Sequence, residues 1–213
     1  MKRVINYVIM LLLITLGSIL IFNTQITNWV IDFLSNRAYQ TRITSSNQDA
    51  TTFNYKSVKP VSSYSVAMQA LKPHSDGAIA KINIPAVDIK LPIFYGLSNR
   101  NLIRGVGTMK RHQKLGKGNY AIAGHYMISS GVLFSPLANV HFGEKIYLIN
   151  RHYQYIYRIT GKSIIHNYQI GVIKNIPHQK IVTLITCASA KTGEKNRIMV
   201  RGKLIDTVKN SNN

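Results

Sequence analysis

The sequence predicts an all-β domain, a closed barrel or a sandwich, carried behind an N-terminal membrane-spanning helix. Three observations predict it. Residues Val4 to Phe22 carry no charge. From Ala78 onward, short β-type segments alternate with Gly, Pro and Asn. The last residues, Lys209 to Asn213, are polar and offer no second apolar span. At 213 residues the chain holds one domain of ordinary size plus an extension, and at 46% hydrophobic residues it has material for a core.

The elements follow in order. VINYVIMLLLITLGSILIF, as a helix, spans roughly 28 Å, close to the thickness of a bilayer's hydrocarbon. Lys2 and Arg3 precede it, and the positive-inside rule keeps residues 1–3 in the cytoplasm and sends the remainder outward. A cleaved signal peptide has a shorter apolar core followed by a small-x-small site. Asn23 to Phe33, NTQITNWVIDF, contains none, so residues 4–22 are expected to remain as an anchor, with Trp29 as an interfacial aromatic. Residues 23–66, rich in Ser, Thr, Asn and Gln, read as a polar stalk with some helix near Asn36–Gln40. A helix around Ser63–Leu71 would open the main domain, residues 67–207, and a polar tail covers 208–213. Strands are expected at Ala78–Ile84, Ile89–Tyr95, Gly105–Thr108, Asn119–Gly124, Lys145–Asn150, Tyr153–Ile165, Ile181–Cys187 and Arg197–Ile205. Ser98–Ile103 and Val132–Leu137 read as short helical turns. The clearest alternation is His152–Thr160, with Tyr153, Tyr155, Tyr157 and Ile159 on one face.

Composition excludes several chemistries. Lys and Arg total 27 against 7 Asp plus Glu, a formal charge of +20. So few and so scattered acids argue against an oxygen-rich cation cage and make a paired-carboxylate glycosidase hard to build. A single cysteine, Cys187, rules out an intrachain disulfide and a zinc ribbon. The bases are dispersed and no nucleic-acid motif accompanies them, so a surface attracted to anionic wall polymers or lipid headgroups fits better than nucleic-acid binding.

Three residues carry the candidate chemistry. In Ile181–Cys187, IVTLITC, the residues Thr183, Ile185 and Cys187 share one side of the strand, and the cysteine stands at its end. A lone thiol on an exported protein oxidises or cross-links unless it has work to do, which makes Cys187 a nucleophile candidate beside the plainer reading of a buried core cysteine. A free thiol with pKa near ~8.5 is mostly protonated at neutral pH and needs a base or a cation beside it. Of seven histidines, His125 follows the strand-ending Gly124, while His74, His112, His141, His152, His166 and His178 have no telling neighbours. Arg197 opens a strand shortly after Cys187. Were the two strands neighbours, its guanidinium would reach the thiol and could hold a developing oxyanion.

Thr183-Leu184-Ile185-Thr186-Cys187 resembles the TLxTC signature of the sortases, cysteine transpeptidases of Gram-positive bacterial surfaces. Ile84–Ile93, Asn101–Thr108, Gly118–His125, Leu133–Leu137 and Arg197–Val200 are similar to further family segments, in family order, so that the likeness runs from about Ala78 to Ile205. An N-terminal anchor without a C-terminal one looks like class A. The resemblance implies an eight-stranded closed β-barrel with Cys187, His125 and Arg197 at one end of a groove. It implies that Cys187 attacks the Thr–Gly carbonyl of an LPxTG-type signal on an exported protein, and that a peptidoglycan-precursor amine resolves the thioester. His125 would exchange protons with the two amines and Arg197 would stabilise the oxyanion. Thr183, Ile185 and Thr186 are expected to line or support the signal's groove. Some class A members bind calcium through loop acids. Here Ile84–Pro92 offers only Asp88 and Gly171–Lys180 offers none, so no metal and no cofactor is expected. A homodimer at the membrane is left open. Papain-like peptidases place their cysteine before the histidine, whereas here His125 precedes Cys187, and no L,D-transpeptidase pattern surrounds Cys187. A tethered, non-enzymatic module binding wall polymers is the alternative from another class.

Overall fold

A computed structural model of the chain describes residues 2–44, 52–53, 58, 60–71, 77–129 and 131–210. Helix α1 spans Lys2–Ile21 and α2 spans Asn23–Gln40. Only Phe22 separates them, and helical bonding passes through it: Phe22 N donates to Ser18 O and Ile26 N donates to Phe22 O, both at 2.9 Å. Arg3–Ile21 has a mean hydropathy of 2.5, is long and apolar enough to cross a membrane, and buries nothing against the rest of the chain. Two of its hydroxyls are satisfied internally, Thr15 Oγ1 donating to Leu12 O and Ser18 Oγ to Ile14 O.

The segment read as a stalk begins differently. Asn23–Gln40 is a regular helix, and Ile31, Leu34, Ser35 and Ala38 are buried along one face at helical spacing. That face packs on α3 (Ser63–Ala70), on α4 (Asn99–Arg104) and on strand β2 of the barrel. A reciprocal cap between Ser62 and Ser65 starts α3. Residues 45–51, 54–57 and 59, also assigned to the stalk, lie outside the described residues.

Eight strands follow: β1 Ala80–Ile84, β2 Ile89–Phe94, β3 Val106–Thr108, β4 Asn119–Gly124, β5 Lys145–Ile149, β6 Tyr153–His166, β7 Ile181–Cys187 and β8 Asn196–Lys209. They close into a barrel in the order β1-β2-β3-β4-β7-β8-β6-β5, so no sheet edge is left open. The all-β closed barrel with short helices is therefore the observed fold. Strand β8 runs four residues further than expected because Asp206–Lys209 stays paired with Tyr153–Ile156, across a register shift between Ile156 and Tyr157 that skips Ile205. The tail assigned to 208–213 thus begins inside a strand, and 211–213 lie outside the described residues. Of the alternating face of β6, Tyr157 and Ile159 are buried while Tyr153 is 42% exposed.

Two apolar layers result. Ile82, Ile122, Leu148, Val182, Leu184 and Val200 fill the barrel. On the outer face of β4, β7 and β8, Ala121, Ala123, Ile185 and Met199 pack with Leu97, Leu102 and Met109. Strands β4 and β7 are consequently buried on both faces. Elsewhere the outer surface is basic. Lys145, Arg158 and Lys203 stand directly opposite one another on β5, β6 and β8, all exposed.

Candidate active site

Strand pairing sets the geometry. β4 and β7 run parallel with Ala123 opposite Ile185, and that register carried two residues further sets His125 beside Cys187. β7 and β8 run antiparallel with Cys187 opposite Arg197. The next rung is hydrogen-bonded, Ala188 N donating to Asn196 O at 3.0 Å, so Cys187 and Arg197 form the closer, non-bonded kind of pair, with Cα atoms about 4.5 Å apart. Three residues distant in sequence thus occupy one row across three adjacent strands. The row lies on the outer face, because Val182, Leu184 and Val200 take the inner one.

His125, Cys187 and Arg197 line a single cleft of about 410 Å³. Ile185 and Thr186, both buried, also line it. Thr183 does not. It is fully buried, and its Oγ1 donates to Asn119 Oδ1 at 2.8 Å. Asn119 Nδ2 in turn donates to Val172 O and Lys174 O, at 3.0 and 3.1 Å. Thr183 is thus part of a polar knot that pins the segment 172–174 over β4.

Each member of the row has a distinct environment. His125 is 8% exposed, and its Nε2 has no hydrogen-bond partner. Burial pushes its pKa down to about 4. The preceding Gly124 is required by packing: a Cβ there would stand 2.8 Å from the Phe134 ring and 2.9 Å from Val106. Cys187 is half-buried, and burial raises its thiol pKa, opposed by the Arg197 charge and aided by Glu194. Burial thus favours the thiol over the thiolate and the neutral imidazole over the imidazolium. Arg197 is held by its own loop, Nη1 donating to Glu194 O and to Asn196 O at 2.5 and 2.9 Å.

Sequence reasoning missed part of the setting. Glu194 braces the β7–β8 loop: its carboxylate accepts from Ser189 Oγ at 2.6 Å and from Asn196 N at 2.8 Å, and these bonds lower its pKa. Only its nearness in sequence to Arg197 hinted at this. Val58, Pro60 and Val61, within the expected stalk, form one wall of the cleft. A second, more apolar hollow of about 360 Å³ shares Ile185, Asn167 and Arg197 with the first and is lined by Phe53, Met109, Ile165, Ile170 and Val172. The two hollows adjoin at Ile185, Asn167 and Arg197, and His125 and Cys187 line the first of them. Among the described residues, no group of three His, Cys, Asp or Glu side chains is placed to hold a metal ion.

A thiol, an imidazole and a guanidinium in a groove suit acyl transfer: nucleophile, proton carrier and oxyanion donor. Comparison with known proteins identifies the family. The family model described as "Sortase domain" matches residues 82–205. Sortase A of Streptococcus agalactiae serotype III (strain NEM316) is 36% identical over 213 residues, covering 95% of this chain and 85% of that protein. Sortase A of Listeria monocytogenes serovar 1/2a is 34% identical over 206 residues, covering 94% and 92%. The solved structure of Listeria monocytogenes sortase A superposes with a TM-score of 0.62 at 36% identity, over 64% of this chain and 93% of that one. With the domain matching more than half of the chain, relatives running along nearly all of it and the eight-stranded barrel in place, the chain belongs to the sortase family.

Proposed function

We propose that this sortase is a membrane-anchored cysteine transpeptidase that cleaves LPxTG-type sorting signals between Thr and Gly and passes the acyl group to an amine of a peptidoglycan precursor. The observation that carries the reading is the row of His125, Cys187 and Arg197 lining one cleft. Residues 4–22 act as the anchor with Lys2 and Arg3 on the cytoplasmic side, and residues 67–207 carry the catalysis outside.

The reaction starts from the forms that burial favours, thiol and neutral imidazole. Cys187 Sγ gives its proton to His125 as it attacks the Thr carbonyl carbon. The guanidinium of Arg197 stabilises the oxyanion that forms. The imidazolium then gives its proton to the departing Gly nitrogen, leaving a thioester on Cys187. An incoming amine attacks that thioester, its proton passes to His125, and the thiolate leaves and recovers the proton. Burial around His125 favours its neutral form, so the imidazolium is a good acid during the brief time it exists. The apolar hollow beyond Ile185 is where the Leu and Pro of the signal would sit, which assigns Ile185 to binding, Thr186 to the cleft wall, and Thr183 to support.

Mass spectrometry of the chain mixed with a signal peptide and hydroxylamine tests the proposal. An acyl adduct on Cys187 and a hydroxamate product are expected together. Peptide cleavage that persists in Cys187→Ala would refute the assignment of the nucleophile.

A further inference from the structure

We propose that the bilayer surface forms a wall of this site: the outer stripe of α2 and the loop after β4 rest in the headgroup layer, so that the cleft opens onto the plane of the membrane. The proposal rests on reading α1 as a membrane anchor.

There is no slack between anchor and barrel. Helical bonding runs through Phe22, and the buried Ile31, Leu34 and Ala38 fasten α2 to the domain. The fastening reaches the cleft itself. Asn28 Nδ2 donates to Ser129 Oγ, and Thr27 Oγ1 donates to Ser63 Oγ at 3.0 Å. Ser129 follows Ile128, which lines the cleft together with His125. Asn28 is six residues beyond Phe22, so whatever the tilt of α2 it lies at most about 9 Å from the end of the apolar span. A headgroup layer is about 5–7 Å deep on each side, and helix side chains lean toward the N-terminus, here toward the bilayer.

The exposed surface fits that placement. Phe22, Ile26, Trp29 and Phe33 are exposed and recur at helical spacing, opposite the face that α2 buries against the barrel. Trp29 and Phe33 stack at 6.0 Å between ring centroids, and Ile128 is 80% exposed. The stripe is continuous with the bare apolar surface of α1, which identifies its occupant as lipid. Phe22, at φ −92° and ψ 12°, departs from α-helical geometry, and it is there that α2 would lean its stripe into the interface. The chemical consequence is that an acceptor amine borne on a lipid reaches Cys187 by sliding in the membrane plane.

Trp29 is the chain's one tryptophan, which makes the test direct. The full chain is placed in phosphatidylcholine–phosphatidylglycerol vesicles containing lipids brominated near the top of the acyl chain. Trp29 emission is expected to be quenched, and so is that of the double variant Trp29→Phe, Ile128→Trp. A helical heptad inserted between Phe22 and Asn23 raises the domain by about 10 Å while nearly keeping its azimuth. It is expected to relieve both quenching signals and to slow transfer to an amine-bearing phospholipid while transfer to a soluble amine is unchanged. Carbonate extraction reads the anchor separately. A chain that resists carbonate yet shows no quenching at either position overturns the proposal, as does quenching that the heptad leaves untouched. Release by carbonate overturns the anchor reading and this proposal with it. Quenching needs no turnover, so the result stands apart from the sorting activity.

Discussion

His125 is expected to make this fold sensitive to acid, by an amount the structure sets. In the unfolded chain the imidazole has its ordinary pKa of 6.5, whereas in the folded protein burial lowers it to about 4. The unfolded state therefore binds a proton that the folded state refuses. Stability is complete above pH 6.5, falls as the pH drops, and reaches its full loss below 4. At 1.36 kcal/mol per unit, the interval corresponds to about 3 kcal/mol, a large share of a typical domain's stability. His125 is 8% exposed and its Nε2 has no partner, so neither solvent nor a hydrogen bond offsets that cost. The variant His125→Gln cannot titrate, and the other six histidines are the same in both proteins. The assay is urea unfolding of the detergent-solubilised chain, followed by circular dichroism, at steps from pH 7.5 to pH 4. The native protein should lose about 3 kcal/mol more than the variant across that range. Parallel stability curves, or a native protein that gains on the variant as acid is added, would refute the reasoning.

Arg197→Lys keeps the charge but loses the fork; kcat for peptide cleavage should fall about 10²-fold or more, with KM much less affected, in steady-state assays. Asn119→Ala unties the knot over β4 and takes the partner from the Thr183 hydroxyl and from Lys174 O, while Val172 O keeps Arg201 Nη2. Urea unfolding should show a loss of about 1–3 kcal/mol, and KM for the signal peptide should rise as the wall at Val172 loosens. Arg158→Glu turns two like-charge cross-strand contacts, with Lys145 and Lys203, into opposite-charge ones. Thermal unfolding at low salt should show a gain of about 0.5–2 kcal/mol that shrinks as salt is added. Chelation with EDTA should leave the cleavage rate unchanged, and a loss restored by calcium would contradict the reading of the loops as too poor in acids to hold the ion.

Much of the barrel was legible because Gly, Pro and Asn punctuate its strands, and each expected segment overlaps an observed one. The helix Asn23–Gln40 was hard to read within the expected stalk for a physical reason. The buried face of α2 includes Ser35 and Ala38, and the apolar Ile26, Trp29 and Phe33 sit on the opposite face, so the two stripes blur each other and the composition mimics a linker. Thr183 illustrates a different limit. Alternation correctly put it on the same face as Ile185 and Cys187, but periodicity identifies a face and not what covers it, and Asn119 with segment 172–174 covers that stretch. The row itself was not readable from local pattern. It depends on β4 lying parallel to β7, a pairing between segments far apart in the chain, and the expectation came through the resemblance. Phe53, Val58 and Val61 join the groove walls for the same nonlocal reason.

Because Cys187, His125 and Arg197 hang in one row across three neighbouring strands, the spacing of their backbones is inherited from the interstrand lattice. Lengthening or exchanging connections other than the β7–β8 loop, whose Glu194 carbonyl holds Arg197, would redraw which peptide is admitted while leaving the reacting trio where it is. Selectivity and reactivity in this scaffold are thus separable traits, and a loop library grafted on it is a rational route to new sorting preferences.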